Sequence, residues 1–247
     1  MQQYNIIKLD ETDSTNAYAH EFSASFEDRT VVSAAKQTAG RGRYNRKWLA
    51  GNSSNVYMTF VLKPSDTGDY PYSNLTQYLS VIVCRVLENC YDMQPSIKWP
   101  NDILVSGAKI AGILAETSVK DGKIDCIALG IGINVNLEKE IIDKIDQKAV
   151  SMAVLKHRSF ESDEIRDKIC SAFFEDYDKF IQKGFSYIKE EYVKRCGFLG
   201  GRIKIREQNK EFWAQSVDDD GLLAVKDDFG IESKIITGDV LCAFVQK

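Results

Sequence analysis

The spacing of apolar and polar positions changes several times along the chain, and each change predicts an element. Tyr4–Leu9 reads as a short strand. Asp13-Ser14-Thr15-Asn16 then places capping residues before AYAHEF, the start of a helix. Thr30–Ala35 and Asn55–Leu62 (NVYMTFVL) read as strands, while Gln37–Trp48 between them carries neither period. Leu79, Ile82, Val83, Val86 and Leu87 recur at helical spacing within Leu75–Cys90. From Ile97 to Asn136 several strands follow, broken by turn signals at Ser106-Gly107 and Asp121-Gly122. Asp163–Phe180 and Ser186–Cys196 read as helices. Beyond Gly197 the text changes to short β runs such as RIKIRE, EFWAQSV and LLAVKD, with Asp220-Gly221 as a hairpin signal. The pattern predicts a mixed α and β domain over 1–196. A small barrel or meander over 197–247 follows, either a separate module or a cap on the main domain.

Composition narrows the class. A chain of 247 residues, 44% hydrophobic and 28% charged, buries enough surface to fold without disulfides or a structural metal. A net charge of −4 argues against a general nucleic-acid coat protein. With only His20 and His157 present, a histidine-rich metal site is excluded. The six cysteines, Cys84, Cys90, Cys126, Cys170, Cys196 and Cys242, show no CxxC spacing. They sit in apolar surroundings and read as buried, reduced thiols. The first residues form no secretory signal, and no apolar run reaches the ~20 residues that span a bilayer. A cytoplasmic protein with no membrane partner is expected.

Four segments carry candidate chemistry. In Lys36–Trp48 the cations Lys36, Arg41, Arg43, Arg46 and Lys47 occur with no acid among them. Gly40 and Gly42 let the backbone approach a ligand, and arginines suit phosphate or carboxylate. No GK[ST] follows, so this is not a Walker A loop. A small anion, a solvated basic loop and a nucleic-acid patch all fit that spacing. Lys98-Trp99-Pro100-Asn101-Asp102 marks a strand edge or a turn with a solvated Lys and Asp. Lys109, two residues after Gly107, is either an exposed hairpin lysine, a nucleophile or a cationic clamp. Gly130-Ile-Gly132-Ile-Asn134-Val-Asn136 lacks the βαβ setting of a dinucleotide site. Its two asparagines could instead meet phosphate or adenine edges.

In their order and spacing, DSTN (Asp13–Asn16), QTAGRGRYNRKW (Gln37–Trp48), KWPND (Lys98–Asp102), KIAGIL (Lys109–Leu114) and GIGINVN (Gly130–Asn136) resemble the biotin protein ligases. The GDV-containing tail matches too, so the resemblance covers nearly the whole chain. It implies an α+β fold: a mixed sheet with flanking helices like class II aminoacyl-tRNA synthetases, plus an SH3-like C-terminal barrel. It implies that biotin attacks MgATP to give biotinyl-5′-AMP, which a lysine of a biotin carboxyl carrier domain then consumes. Biotin contacts are implied for Ser14, Thr15, Asn16, Gln37 and Gly40, and for Arg41, Gly42, Arg43, Lys109 and Gly112. ATP contacts are implied for Arg41, Arg43, Trp48 and Lys109, with Asn101, Asp102 and Asn134. Lys109 and Arg43 would carry the catalysis. Mg²⁺ would enter with ATP, and no protein metal ligands are assigned.

Tyr44 and Asn45 stand where many family members have small or basic residues, which bears on the loop's dynamics. The chain starts a few residues before DSTN, leaving no room for a DNA-binding domain. A monofunctional ligase without DNA binding, monomeric or homodimeric, is therefore expected. A lipoate ligase is a weaker match, because its RR…GGG…H pattern is absent. A nucleic-acid or adaptor module runs against the net charge.

Overall fold

The computed structural model describes residues 4–49, 54–64 and 72–242. Its first elements are β1 (Asn5–Thr12), α1 (Thr15–Glu21), β2 (Thr30–Gln37) and β3 (Val56–Leu62). Then come α2 (Leu75–Tyr91), β4 (Pro95–Lys98), β5 (Asp102–Val105), β6 (Ala108–Lys120) and β7 (Lys123–Ile133). Four helices follow: α3 (Lys139–Ile142), α4 (Met152–Lys156), α5 (Ser162–Lys183) and α6 (Lys189–Arg195). The tail supplies β8 (Arg202–Ile205), β9 (Lys210–Val217), β10 (Leu223–Lys226), β11 (Glu232–Ile235) and β12 (Val240–Cys242). The strands and long helices expected from periodicity are present. The short α3 and α4 were not expected, because helices of this length leave little period to read.

The chain forms two compact units, each assembled from two stretches. The first is Met1–Tyr70 with Ala108–Glu175, the second Pro71–Gly107 with Asp176–Lys247. In the first unit the strands lie in the order β1-β2-β3-β7-β6. β1 and β2 are parallel, joined by α1, and the remaining pairs are antiparallel. All seven residues of β3 are buried, as a central strand covered on both faces requires. Side chains alternate between faces, so Val61 meets Ala19 of α1 while Phe60 stacks on Phe173 of α5 at 4.2 Å. α1 thus stands over one face of the sheet, with its N-terminal residues above the glycines of β7.

In the second unit β4 and β5 form a hairpin beside α2 and α6, and the tail forms a five-stranded antiparallel sheet. The β9–β10 turn ties that sheet down. Gly221 O accepts from Trp99 Nε1 at 3.0 Å and Gln77 Nε2 at 2.8 Å, and Asp220 O accepts from Asn74 Nδ2 at 2.9 Å. Gly221 has φ +80, and a Cβ there would meet Asn74 and Gln77 at 2.5 Å. Glycine is therefore required twice over, and the tail caps α2.

Burial raises the thiols of Cys84 and Cys170 to about 12 and that of Cys126 to about 11, so these stay protonated and inert. Cys90 departs from the expectation of buried thiols. It lies near the end of α2 on the side turned to solvent and is exposed. Cys242 bears a side chain outside the described set. No helix among the described residues is long and apolar enough to cross a membrane.

Candidate active site

The site starts at the first turn of α1. Ser14 holds the N-cap position, but its side chain makes no capping bond. The Ser14 N–H goes instead to Asp13 Oδ1 at 2.6 Å. The next two side chains are buried and held by hydrogen bonds. Gln37 Oε1 accepts from Thr15 N at 2.8 Å and from Thr15 Oγ1 at 3.1 Å. Thr59 Oγ1 lies 2.7 Å from Asn16 Oδ1 and 2.9 Å from Thr15 Oγ1. Asn16 Nδ2 donates to Leu114 O at 3.2 Å and to Glu116 Oε2 at 2.7 Å, which fixes the amide's orientation. Each hydroxyl has a single proton. With Thr15 donating to Gln37 and Thr59 to Asn16, the Thr15 oxygen keeps lone pairs for a donor on a ligand.

Glycines form the floor. The Asn16 amide lies against Gly130, where a Cβ would come within 2.0 Å of Oδ1. The Trp48 indole covers Gly132 and Gly112, whose Cβ atoms would meet it at 2.5 Å and 2.9 Å. Lys109 Nζ stands 5.3 Å from the centre of the Trp48 ring. Trp48 Nε1 is buried without a hydrogen-bond partner among the described residues. Beside the indole the wall and floor enclose a cavity of about 30 Å³, also lined by Ser14, Arg41, Leu114 and Ile131. That is water-sized.

The basic segment forms a tight turn next to this pocket. Trp48 N donates to Gly40 O at 2.9 Å and Gly42 N to Arg46 O at 2.7 Å, with a bridge between Arg41 and Lys47. A Cβ on Gly40 would sit 3.0 Å from Trp48 O, so Gly40 permits this closure. Arg41, Tyr44, Arg46 and Lys47 are exposed. His20, one turn along α1 from Asn16, lies between the two regions. Burial lowers its pKa first; Glu116 raises it and Arg41 lowers it.

With this geometry in place, the known proteins decide the family. The pattern described as "Biotin/lipoate A/B protein ligase family" matches residues 8–134. The chain belongs to that family. It is 31% identical over 243 residues to the bifunctional ligase/repressor BirA of Bacillus subtilis, covering 96% of this chain and 73% of the relative. It is 29% identical over 230 residues to the biotin–[acetyl-CoA-carboxylase] ligase of Paracoccus denitrificans, covering 88% and 92%. A solved biotin protein ligase from Aquifex aeolicus in complex with biotin and ATP superposes with a TM-score of 0.79 at 28% identity, covering 96% and 97%.

In this member of the biotin/lipoate ligase family, Ser14, Thr15, Asn16, Gln37, Arg41, Trp48 and Gly112 line one pocket. Lys109 is set beside it by its backbone: Lys109 N donates to Lys148 O, and Val150 N to Lys109 O, both at 2.9 Å. Asn134 is buried nearby and donates Nδ2 to Val150 O at 3.2 Å. Asn136 does not act as a free polar edge. It donates to Ser54 O and Phe160 O and accepts from Phe160 N, so it holds loops together. Asn101 and Asp102 belong to the second unit, at the β4–β5 turn. The expectation of a solvated Lys98 and Asp102 fails there. They form a 2.9 Å ion pair with side chains 18% and 10% exposed, because the hairpin sets them across from each other. Among the described residues no three His, Cys, Asp or Glu gather as a metal site.

Thr59, Glu116, Gly130 and Gly132 were missed as site residues. Thr59 was detectable as the one aliphatic hydroxyl inside the apolar run of β3. Gly130 and Gly132 share a face of β7, two residues apart.

Proposed function

We propose that the pocket of the first unit holds biotin and that the basic turn beside it holds the phosphates of ATP. The chain is an ATP-dependent ligase that activates biotin as biotinyl-5′-AMP and transfers it to a lysine of a carrier protein. One observation carries the reading. The buried polar groups of Thr15, Asn16, Gln37 and Thr59 meet a glycine floor in a pocket that Arg41 lines, with Lys109 Nζ beside Gly112.

The chemistry explains that combination. In the first step a biotin carboxylate oxygen bonds to the α-phosphorus of MgATP and the bond to pyrophosphate breaks. Two anions must touch, so their repulsion has to be offset by fixed cations in a partly dry site. Lys109 and Arg43 carry this step, with Lys109 between carboxylate and α-phosphate. Gly40, Gly42 and Gly112 let the backbone close on the ligands. Ser14, Thr15, Asn16 and Gln37 match a head group that both donates and accepts hydrogen bonds. Asn101, Asp102 and Asn134 serve the nucleotide, and Trp48 packs against the bound ligands. Mg²⁺ arrives as part of the substrate, held mainly by phosphate oxygens, as its preference for waters and phosphates allows. In the second step the lysine ε-amine attacks the mixed anhydride and AMP leaves. We also assign the catalytic role to 1–196 and an SH3-like barrel to 197–247; the five short antiparallel strands of the tail support that assignment.

The test is incubation with biotin, MgATP and a biotin carboxyl carrier domain, followed by streptavidin detection. The expected result is label on a single carrier lysine that excess lipoate does not compete away. Absence of label on every carrier tried would overturn the reading.

A further inference from the structure

The residue at the tip of the basic turn is the least expected feature of this region. Tyr44 has φ 54 and ψ 40, a left-handed conformation that bulky side chains rarely adopt. Its ring is half exposed, so burial does not explain why it is there. What surrounds it does. The Arg43 guanidinium carbon lies 5.0 Å and that of Arg46 5.6 Å from the centre of the same ring. Arg43 Nη2 also reaches Tyr44 Oη at 3.3 Å. The turn itself is closed below the ring by Gly42 N to Arg46 O at 2.7 Å.

Charge makes this arrangement necessary. Arg41, Arg43, Arg46 and Lys47 crowd into seven residues with no acid among them. Left alone, like charges splay apart. An aromatic face attracts guanidinium through its quadrupole. We propose that Tyr44 is a positioning residue that pairs Arg43 with Arg46 as a preassembled receptor for a polyphosphate. It touches no substrate itself and acts through the two arginines. The left-handed backbone at Tyr44 is what brings both guanidiniums to one ring. This inference rests on the proposed role of the basic turn in binding ATP phosphates.

The test compares Tyr44→Phe, Tyr44→Leu, Tyr44→Gly and Arg43→Ala. It measures pyrophosphate affinity by calorimetry without biotin, and KM for ATP and for biotin in pyrophosphate exchange. Tyr44→Leu should weaken pyrophosphate binding and raise KM for ATP by about five- to tenfold, with KM for biotin unchanged. Tyr44→Phe keeps the ring face and should stay within about twofold of the parent. Tyr44→Gly adopts the left-handed conformation freely, so its thermal midpoint should not fall, yet it should lose pyrophosphate affinity as Tyr44→Leu does. If Arg43→Ala weakens pyrophosphate binding but the Leu and Gly variants do not, the positioning role is overturned. The same holds if Tyr44→Phe is as damaging as Tyr44→Leu, since the hydroxyl and not the face would then matter. If Arg43→Ala also leaves pyrophosphate affinity unchanged, the phosphate reading fails and this inference with it.

Discussion

The wall around Thr15, Asn16 and Gln37 and the basic turn at Arg41–Lys47 adjoin one pocket but are built in opposite ways. The wall is buried, and its side chains are oriented by hydrogen bonds to one another, to β3 or to β6. The turn is exposed, held by a few backbone bonds and by stacking on Tyr44. On the proposed assignment, the difference follows from what each region binds. A neutral head group is recognised by the direction of its donors and acceptors, so the protein's own groups must be fixed beforehand. A polyphosphate is recognised by charge, which acts at longer range and tolerates movement. On the proposed assignment the wall provides selectivity, and the turn holds its arginines ready for the phosphates.

The largest break in this pairing is expected where the two regions meet. Lys109→Ala removes the cation beside both the Trp48 ring and Gly112. The rate of biotin-dependent pyrophosphate exchange should fall by about 10²–10³, as when a single electrostatic stabiliser is deleted from an active site. Thermal stability should change little. An unchanged exchange rate would remove Lys109 from the reaction.

Matched glycine substitutions separate the regions next. Gly130→Ala places a Cβ within 2.0 Å of an Asn16 amide that is already held by three hydrogen bonds. Asn16 cannot yield without undoing the wall. KM for biotin should rise by at least about tenfold, with a stability loss of about 1–3 kcal/mol typical of overpacking. Gly42→Ala meets only Arg46 at 3.5 Å or more, from an extended backbone that any residue adopts. It should leave stability within error and raise biotin KM far less than Gly130→Ala does. Equal effects at the two glycines would dissolve the distinction between fixed wall and adaptable turn.

Thr59→Val sharpens the claim about directed hydrogen bonds. Thr59 is fully buried, and valine fills the same space without the hydroxyl. Asn16 Oδ1 loses its donor, so stability should fall by about 1–2 kcal/mol. Biotin KM should rise severalfold while ATP KM stays fixed; a rise in ATP KM alone would contradict the assignment of Thr59 to the wall.

The same contrast explains what could be read from the sequence. The elements were visible because their patterns are sustained: β3 is apolar except for Thr59, and α2 keeps its stripe over 17 residues. The basic turn was visible because its chemistry is contiguous. The wall was only half visible. Ser14, Thr15 and Asn16 sit in one motif, but Thr59 and Glu116 reach Asn16 from positions 43 and 100 residues away. No local pattern encodes a contact of that kind. The glycines of β7 were visible as glycines, yet their purpose depends on Asn16 and Trp48 lying over them. The reach of the tail's turn onto Trp99 and Gln77 was likewise hidden, because it joins residues more than a hundred positions apart.

The smallest effect is also the most direct comparison of the two regions. His20 is influenced by the wall through Glu116 and by the turn through Arg41, with opposite signs. Burial is the larger cause and holds its pKa below the ordinary 6.5. A histidine with a depressed native pKa binds fewer protons when folded than when unfolded. Stability from this group is therefore present above pH 6.5 and is lost as pH falls towards the native pKa. The chain has two histidines, so a His20→Gln variant assigns the pair of imidazole signals in an NMR titration. Arg41→Gln should move the His20 midpoint up, and Glu116→Gln should move it down. Pyrophosphate added to the parent protein should act like Arg41→Gln, since an anion on the turn offsets the Arg41 charge. A His20 midpoint that ignores pyrophosphate while responding to both substitutions would show that the anion binds beyond the field of Arg41. The anion would then sit further along the turn, at Arg43 and Arg46.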